Sequence, residues 1–265
     1  MRILFVHNRY QQYGGEDAVV GSEISLLRNR GHHVEILAVD NDDIASLCNK
    51  MKTWLQTSYS KSSRRLVKTE LLRLRPDVVH VHNFFPLLTP SVYDAAYEAN
   101  VPVIQTLHNF RTICPGAFLM NRGKTCEKCL TSSAFHSILY GCYRNSRLGT
   151  IAVAHMVQTH RNRQTWSKKV DRFIVLTNFC KKKFIKSLFP ANKIAIKPNF
   201  VDEPQLRHDF FSLKNVAPLG SALFVGRMSH EKGVLTLLKA WKDLNIPLRI
   251  VGDGSLLKKV KASAF

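Results

Sequence analysis

Acidic residues are scarce in this 265-residue chain: 19 Asp and Glu stand against 39 Lys and Arg, a formal net charge of +20. Such an excess favours anionic partners, whether nucleic acid, an anionic lipid surface or a phosphorylated metabolite. Long hydrophobic runs are missing too. No stretch approaches the roughly 18 uninterrupted apolar residues of a membrane span, which sets aside an integral membrane class. The N-terminal MRILFVHN holds too short an apolar run for a signal-peptide core of about 7 to 15 residues. It reads as a first β-strand, and the expectation is a cytoplasmic protein. In that reducing compartment the six cysteines are not read as disulfide staples, so their spacing has to be weighed for metal binding or catalysis. Internal repeats and low-complexity segments are also absent from the sequence.

What is present is 45% apolar and 9% aromatic, in a length that suits one large α/β domain or one domain and part of another. Short apolar runs alternate with helical patterns, which argues for parallel strands joined by right-handed crossovers. The expected strands are Ile3 to Val6, Val34 to Ala38, Val78 to Val81, Val103 to Leu107, Phe173 to Leu176 and Ile194 to Ile196. Between the first two, GGEDAVVGSEISLLRNRGHHV opens on a glycine pair, offers Ala18, Val19, Ile24 and Leu27 to a core, and closes on Gly31. Residues 1–198 are thus expected to form a six-stranded, doubly wound domain. After KPNFVDEP the pattern restarts with Ala222 to Val225, a helix Gly233 to Trp241 and a strand Leu248 to Val251 before GDGS. Residues 199–265 read as the first part of a second Rossmann-like domain.

Ligands in open α/β sheets sit beyond the carboxyl ends of the strands. Gly14 and Gly15 follow the first strand and can bring backbone N–H groups to an anion at a helix start; the alternative is a purely structural turn. His80, His82 and Asn83 end the third strand, and His108, Asn109 and Arg111 follow the fourth. Each histidine alone could be a satisfied structural residue, but two converging strand ends favour a polar cleft, with His108 preferred because Arg111 shares its loop. Arg227 follows a strand and Lys232 precedes a helix, so the planar fork of one and the point charge of the other can grip a diphosphate. Two solvated surface cations are the competing reading.

The segment CPGAFLMNRGKTCEKCLTSSAFHSILYGC gives C-x11-C-x2-C-x12-C through Cys114, Cys126, Cys129 and Cys142. That spacing can close a tetrahedral thiolate site, and the expectation is a structural zinc, with free or redox-active thiols as the alternative. Cys48 and Cys180 read as incidental. Twelve Lys and Arg against the single acid Asp171 fall between Arg144 and Lys193, and a second basic run spans Lys50 to Arg75. These read either as a solvated face or as a membrane or phosphate surface.

The initial strand with its glycine pair, then RPDVVHVHN, QTLHNFR, FIVLTNF, IKPNFVD, LFVGRMSHEKG and LRIVGDG, resembles in order and spacing the family 4 retaining glycosyltransferases of the GT-B fold. The resemblance implies two Rossmann-like domains, with acceptor mainly in the first and nucleotide-sugar in the second. It implies a UDP- or GDP-linked sugar as donor, a saccharide or lipid-linked acceptor, cell-surface polysaccharide synthesis, peripheral contact with an anionic membrane, and no cofactor for catalysis. It puts Arg227 and Lys232 on the donor diphosphate with Gly14 and Gly15 beside it, His108 near the transferred sugar, and His82, Asn109 and Arg111 on the acceptor side of the cleft. The family continues to a glutamate pair spaced E-x7-E, whereas Glu231 is the last glutamate here. The expectation is therefore a second domain cut short and an impaired transferase, unless a partner chain completes it. Two other readings compete: a non-catalytic remnant or binding protein, and a zinc-containing nucleic-acid-binding module. Nucleic acid is not expected as a partner, because aromatics are not interleaved with the basic runs as stacking would require.

Overall fold

The structure is a computed structural model that describes residues 1–10, 14–41, 46–201 and 220–263, the side chains of Leu47 and Cys48 excepted. The connection at 202–219 and the incidental cysteine at position 48 thus lie outside what it describes. The chain divides into two compact units, Met1–Asp202 and Glu203–Phe265.

In the first unit six strands pair in parallel: β1 (Arg2–Arg9), β2 (His33–Asp40), β3 (Val78–Asn83), β4 (Val103–Leu107), β7 (Arg172–Val175) and β8 (Ile194–Ile196). All six runs anticipated from apolar patterning become strands. Their order across the sheet is β2-β1-β3-β4-β7-β8. Helices cover both faces, which is why β1 buries six consecutive residues and β3 buries all of VVHVHN. The strand order reverses between β1 and β3, and a crevice at the carboxyl ends opens at such a switch point.

The helices are set by caps and by apolar stripes. In α1 (Gly15–Asn29) the buried Val20 and Ile24 pack with Ile3, Phe5, Val34 and Val78 on one face of the sheet. On the other face Leu4, Val6, Val79 and Val81 meet Val67 and Leu71 of α3 (Lys61–Leu74), Val92 and Ala96 of α4 (Ser91–Glu98), and Val153 and Val157 of α7 (Arg147–Asn162). Ser46, Ser60, Ser146 and Thr177 each accept a backbone N–H with the side chain at the start of α2 (Leu47–Gln56), α3, α7 and α9 (Asn178–Lys186). Only short elements lie between β4 and α7: the two-residue strands β5 (Met120–Asn121) and β6 (Lys124–Thr125), then α5 (Lys128–Thr131) and α6 (His136–Leu139). α8 (Thr165–Lys169) leads into β7.

The second unit pairs β9 (Ala222–Val225) with β10 (Leu248–Val251) in parallel, with α10 (Val234–Trp241) and α11 (Leu257–Ser263). Met228, Val234, Leu256 and Val260 form its core, while Leu223, Val225 and Val251 are exposed. α10 starts at Val234 and not at Gly233, because Gly233 is left-handed at φ 68° and closes a 3-10 turn, His230–Lys232. The glycines of VGDG let two backbones touch: a Cβ on Gly252 would lie 2.0 Å from the Gly226 carbonyl oxygen, and one on Gly254 2.5 Å from that of Met228. Among the described residues no helix is long and apolar enough to cross a membrane.

Candidate active site

At the switch point, the loop after β1 delivers Gly14 as the N-cap of α1, with extended backbone geometry. Its N–H donates to Asp17 Oδ2 at 2.9 Å, and Asp17 Oδ1 lies 2.8 Å from His7 Nε2. Asp17 therefore already complements this helix start, and the Gly14 amide is not the one that meets a ligand. Gly15 beside it is exposed.

Two turns into α1 stands a buried acid, Glu23, that sequence reading passed over. Its carboxylate pairs with Lys197 Nζ at 2.5 Å, directly after β8, and lies 3.5 Å from His82 Nε2 and 3.9 Å from His80 Nδ1. Among the described residues, Glu23, His80 and His82 form a group whose ligand-type atoms all fall within 4.8 Å of one another. The signal was available: Glu23 is three residues after Val20 and four after Val19, on the stripe that α1 buries.

Histidines continue this network along the strand ends. His80 Nε2 lies 2.8 Å from Thr106 Oγ1, and His82 Nδ1 lies 3.0 Å from His108 Nε2. The Glu23 carboxylate, 3.5 Å from His82 Nε2, makes no hydrogen bond to it but electrostatically favours a proton on that nitrogen. His82 Nδ1 then accepts from His108 Nε2–H, an assignment inferred from the neighbouring charge. Burial, reinforced by Lys197 and His108, lowers His80 to about 3, and burial with His7 and Lys197 lowers His108 to about 4. His82 is lowered for the same leading reason, its burial. All three are neutral at pH 7. His108 is half-buried, whereas the His82 side chain is fully enclosed behind it and bears on any ligand through His108.

A shallow pocket at these strand ends is lined by His82, Asn83, His108, Asn109 and Arg111, among others. Asn83 ties the floor together, donating to the Asn8 carbonyl at 2.7 Å and accepting from Phe85 N–H at 3.0 Å. Asn109 Oδ1 accepts from Arg111 N–H at 2.9 Å. The Arg111 guanidinium donates to the Pro115 carbonyl and stacks 4.8 Å from the Phe85 ring centre and 5.0 Å from that of Tyr143. Arg111 thus serves first as a tie within its own loop, on the rim of the pocket.

In the second unit, Arg227 lies just beyond β9 and Lys232 ends the 3-10 turn; both are exposed, and both act electrostatically on the exposed carboxylate of Glu231. Asp253, just beyond β10, shares this edge through its carbonyl bond to Met228 N–H, so two acids, Glu231 and Asp253, stand with the two cations. In the first unit, the cysteines expected to act together come from one loop: Cys114 and Cys129 are buried, Cys126 and Cys142 half-buried, and none is in a disulfide. Cys180 is a half-buried free thiol on α9, packed against the main core.

With the sheet and its strand-end residues in place, comparison with known proteins is decisive at the level of family. The family model described as Glycosyltransferase Family 4 matches residues 13–204. The chain belongs to that family. Among solved structures, the apo lipopolysaccharide outer core galactosyltransferase WaaB matches at 15% identity and a TM-score of 0.52, covering 99% of this chain and 64% of WaaB. Anabaena Alr3699/HepE, solved in complex with UDP and glucose, matches at 15% identity and a TM-score of 0.53, covering 99% of this chain and 65% of HepE. The likeness to these structures gives this family member its fold class, α/β of GT-B type. The chain spans less than two thirds of the length of either. No curated protein sequence matches it significantly.

Proposed function

We propose that this family 4 member transfers a sugar from a UDP- or GDP-linked donor to a saccharide or lipid-linked acceptor in cell-surface polysaccharide synthesis. The observation that carries the reading is a neutral, half-buried His108 directly after β4, in a sheet of which β2, β3, β4, β7 and β8 fall within the family match. In this reading residues 1–198 take the acceptor and residues 199–265 belong to the donor-binding domain. HepE, named for its UDP and glucose complex, supports a nucleotide-sugar donor by analogy of fold.

Transfer breaks the bond between the anomeric carbon and the diphosphate while an acceptor hydroxyl forms the new bond, its proton leaving with the diphosphate. Arg227 and Lys232 stabilise the charge that grows on the departing group, an interaction stronger in the transition state than in the ground state. Of the glycine pair, Gly15 is exposed at the start of α1 and is the one that suits an anion, since the Gly14 amide is taken by Asp17. His108, held neutral, orients a sugar hydroxyl as a hydrogen-bond partner and does not act as an acid at neutral pH. Asn109 and Arg111 shape the acceptor side, with His82 behind them.

The acceptor side belongs at the cytoplasmic surface of the membrane. Trp54 of α2 donates to the Leu148 carbonyl of α7 at 2.7 Å, joining the two basic runs. Around that joint Met51, Leu55 and Leu148 are 65%, 68% and 71% exposed, beside exposed Lys50, Lys52, Arg144 and Arg147. Apolar side chains flanked by cations suit peripheral binding to anionic lipid.

Incubation of the purified chain with labelled UDP- and GDP-sugars and a bacterial lipid extract tests the reading. Label should enter the extract, and His108→Ala should reduce incorporation at least about tenfold, the scale of one lost transition-state hydrogen bond. Incorporation unchanged by that substitution would remove His108 from the chemistry.

A further inference from the structure

The four cysteines between β4 and α7 have no part in this chemistry, yet the fold gathers them. Gly116 lies between two of them: a Cβ placed there would meet Cys142 Cβ at 3.6 Å and Cys114 Sγ at 3.9 Å. The β5–β6 hairpin turns the chain back so that Cys126 N–H donates to the Leu119 carbonyl at 2.8 Å, and Cys129 follows in α5. The buried Cys129 thiol lies 3.9 Å from the Ala134 carbonyl oxygen in the same segment.

We infer that Cys114, Cys126, Cys129 and Cys142 ligate one structural zinc ion. The C-x2-C pair supplies two ligands from a hairpin and the following helical turn, and the flanking pair closes a tetrahedral thiolate set with no open position. No helix or strand between β4 and α7 exceeds four residues, so the segment has little regular structure to hold it. Four thiolates around zinc carry net negative charge, and the surroundings answer it. The Arg161 guanidinium donates to the carbonyls of Cys129 and Ser132 at 2.5 and 2.6 Å. Such outer contacts orient ligand-bearing backbone.

The thiols are looser here than in a metal complex. Among the described residues only Glu23, His80 and His82 bring three donor atoms within 4.8 Å, whereas Zn–S bonds of about 2.3 Å draw sulfurs to about 3.8 Å of each other. The site therefore closes around the ion, with thiol protons released on binding. That buried His–Glu group is a weaker candidate for metal because Lys197 already neutralises Glu23 at 2.5 Å. Closure would tie the turn carrying Arg111 to Tyr143, the two sides of the contact at the pocket rim.

The test is elemental analysis of the full chain, purified without chelator, beside Cys126→Ser/Cys129→Ser and Cys180→Ser. About one zinc per wild-type chain is expected, retained in Cys180→Ser and lowered at least tenfold in the double variant. Should the double variant fail to fold, cobalt added to chelator-stripped wild type should give the visible bands of tetrahedral thiolate cobalt. A folded wild-type chain that holds under a tenth of an equivalent of zinc and gives no such bands would overturn the site. None of these readouts depends on transferase activity.

Discussion

Glu23 and Lys197 meet from opposite ends of the first unit, 174 residues apart, beside strand-end histidines that burial, reinforced by Lys197, keeps neutral. Folded values of about 3 for His80 and about 4 for His108 lie below the ordinary 6.5. The unfolded chain thus binds more protons between pH 6.5 and those values, and stability is complete above pH 6.5 and lost as pH falls through that window. Urea unfolding at pH 7 and pH 5 should show this loss, and His80→Asn should flatten it; an unchanged slope would contradict the burial of a neutral His80. Glu23→Gln leaves Lys197 without its acid, and since Lys197 is 36% exposed the cost should be about 1–3 kcal/mol, below that of a fully enclosed pair. Of these residues the sequence made the strand-end histidines visible by position. Glu23 and Lys197 fall within stretches that carry the resemblance, but nothing in either stretch marks their pairing, and only the helical stripe of α1 marks the first as buried.

Among the elements, every strand of the main sheet was legible, because short β-rich apolar runs bounded by polar residues have few other uses in an α/β chain. α7 was not: its segment was read for its charge, although Thr150, Val153, Ala154 and Val157 fall at helical spacing and are all buried. The VGDG turn was recognised as part of a pattern before its physical cause was evident. Gly252→Ala would drive a methyl group onto the Gly226 carbonyl, a 2.0 Å approach between Cβ and backbone oxygen that nothing flexible can relieve. Limited proteolysis should then cut within residues 203–265 while the first unit stays intact. Equal resistance in the variant would mean that β9 and β10 tolerate separation. In the first unit, Met51→Glu with Leu148→Glu should abolish co-sedimentation with anionic vesicles and leave the melting temperature within about 2 °C, as expected of exposed positions. Retained binding would move the membrane surface elsewhere.

At the scale of the whole molecule, the sequence made the family and the GT-B architecture legible, since motif order is a property of the full chain. The role of each residue was less so. Arg111, expected as an anion contact, is stacked between Phe85 and Tyr143, and Gly14 is capped by Asp17. In the proposed function the exposed Arg227 and Lys232 receive a nucleotide diphosphate. Isothermal titration of the folded, monodisperse chain with UDP and GDP tests this. Saturable binding of one of them is expected, weakened at least about tenfold, or about 1.4 kcal/mol, by Arg227→Ala and again by Lys232→Ala. A well-folded chain that binds neither nucleotide, or that binds equally well without both cations, would contradict it.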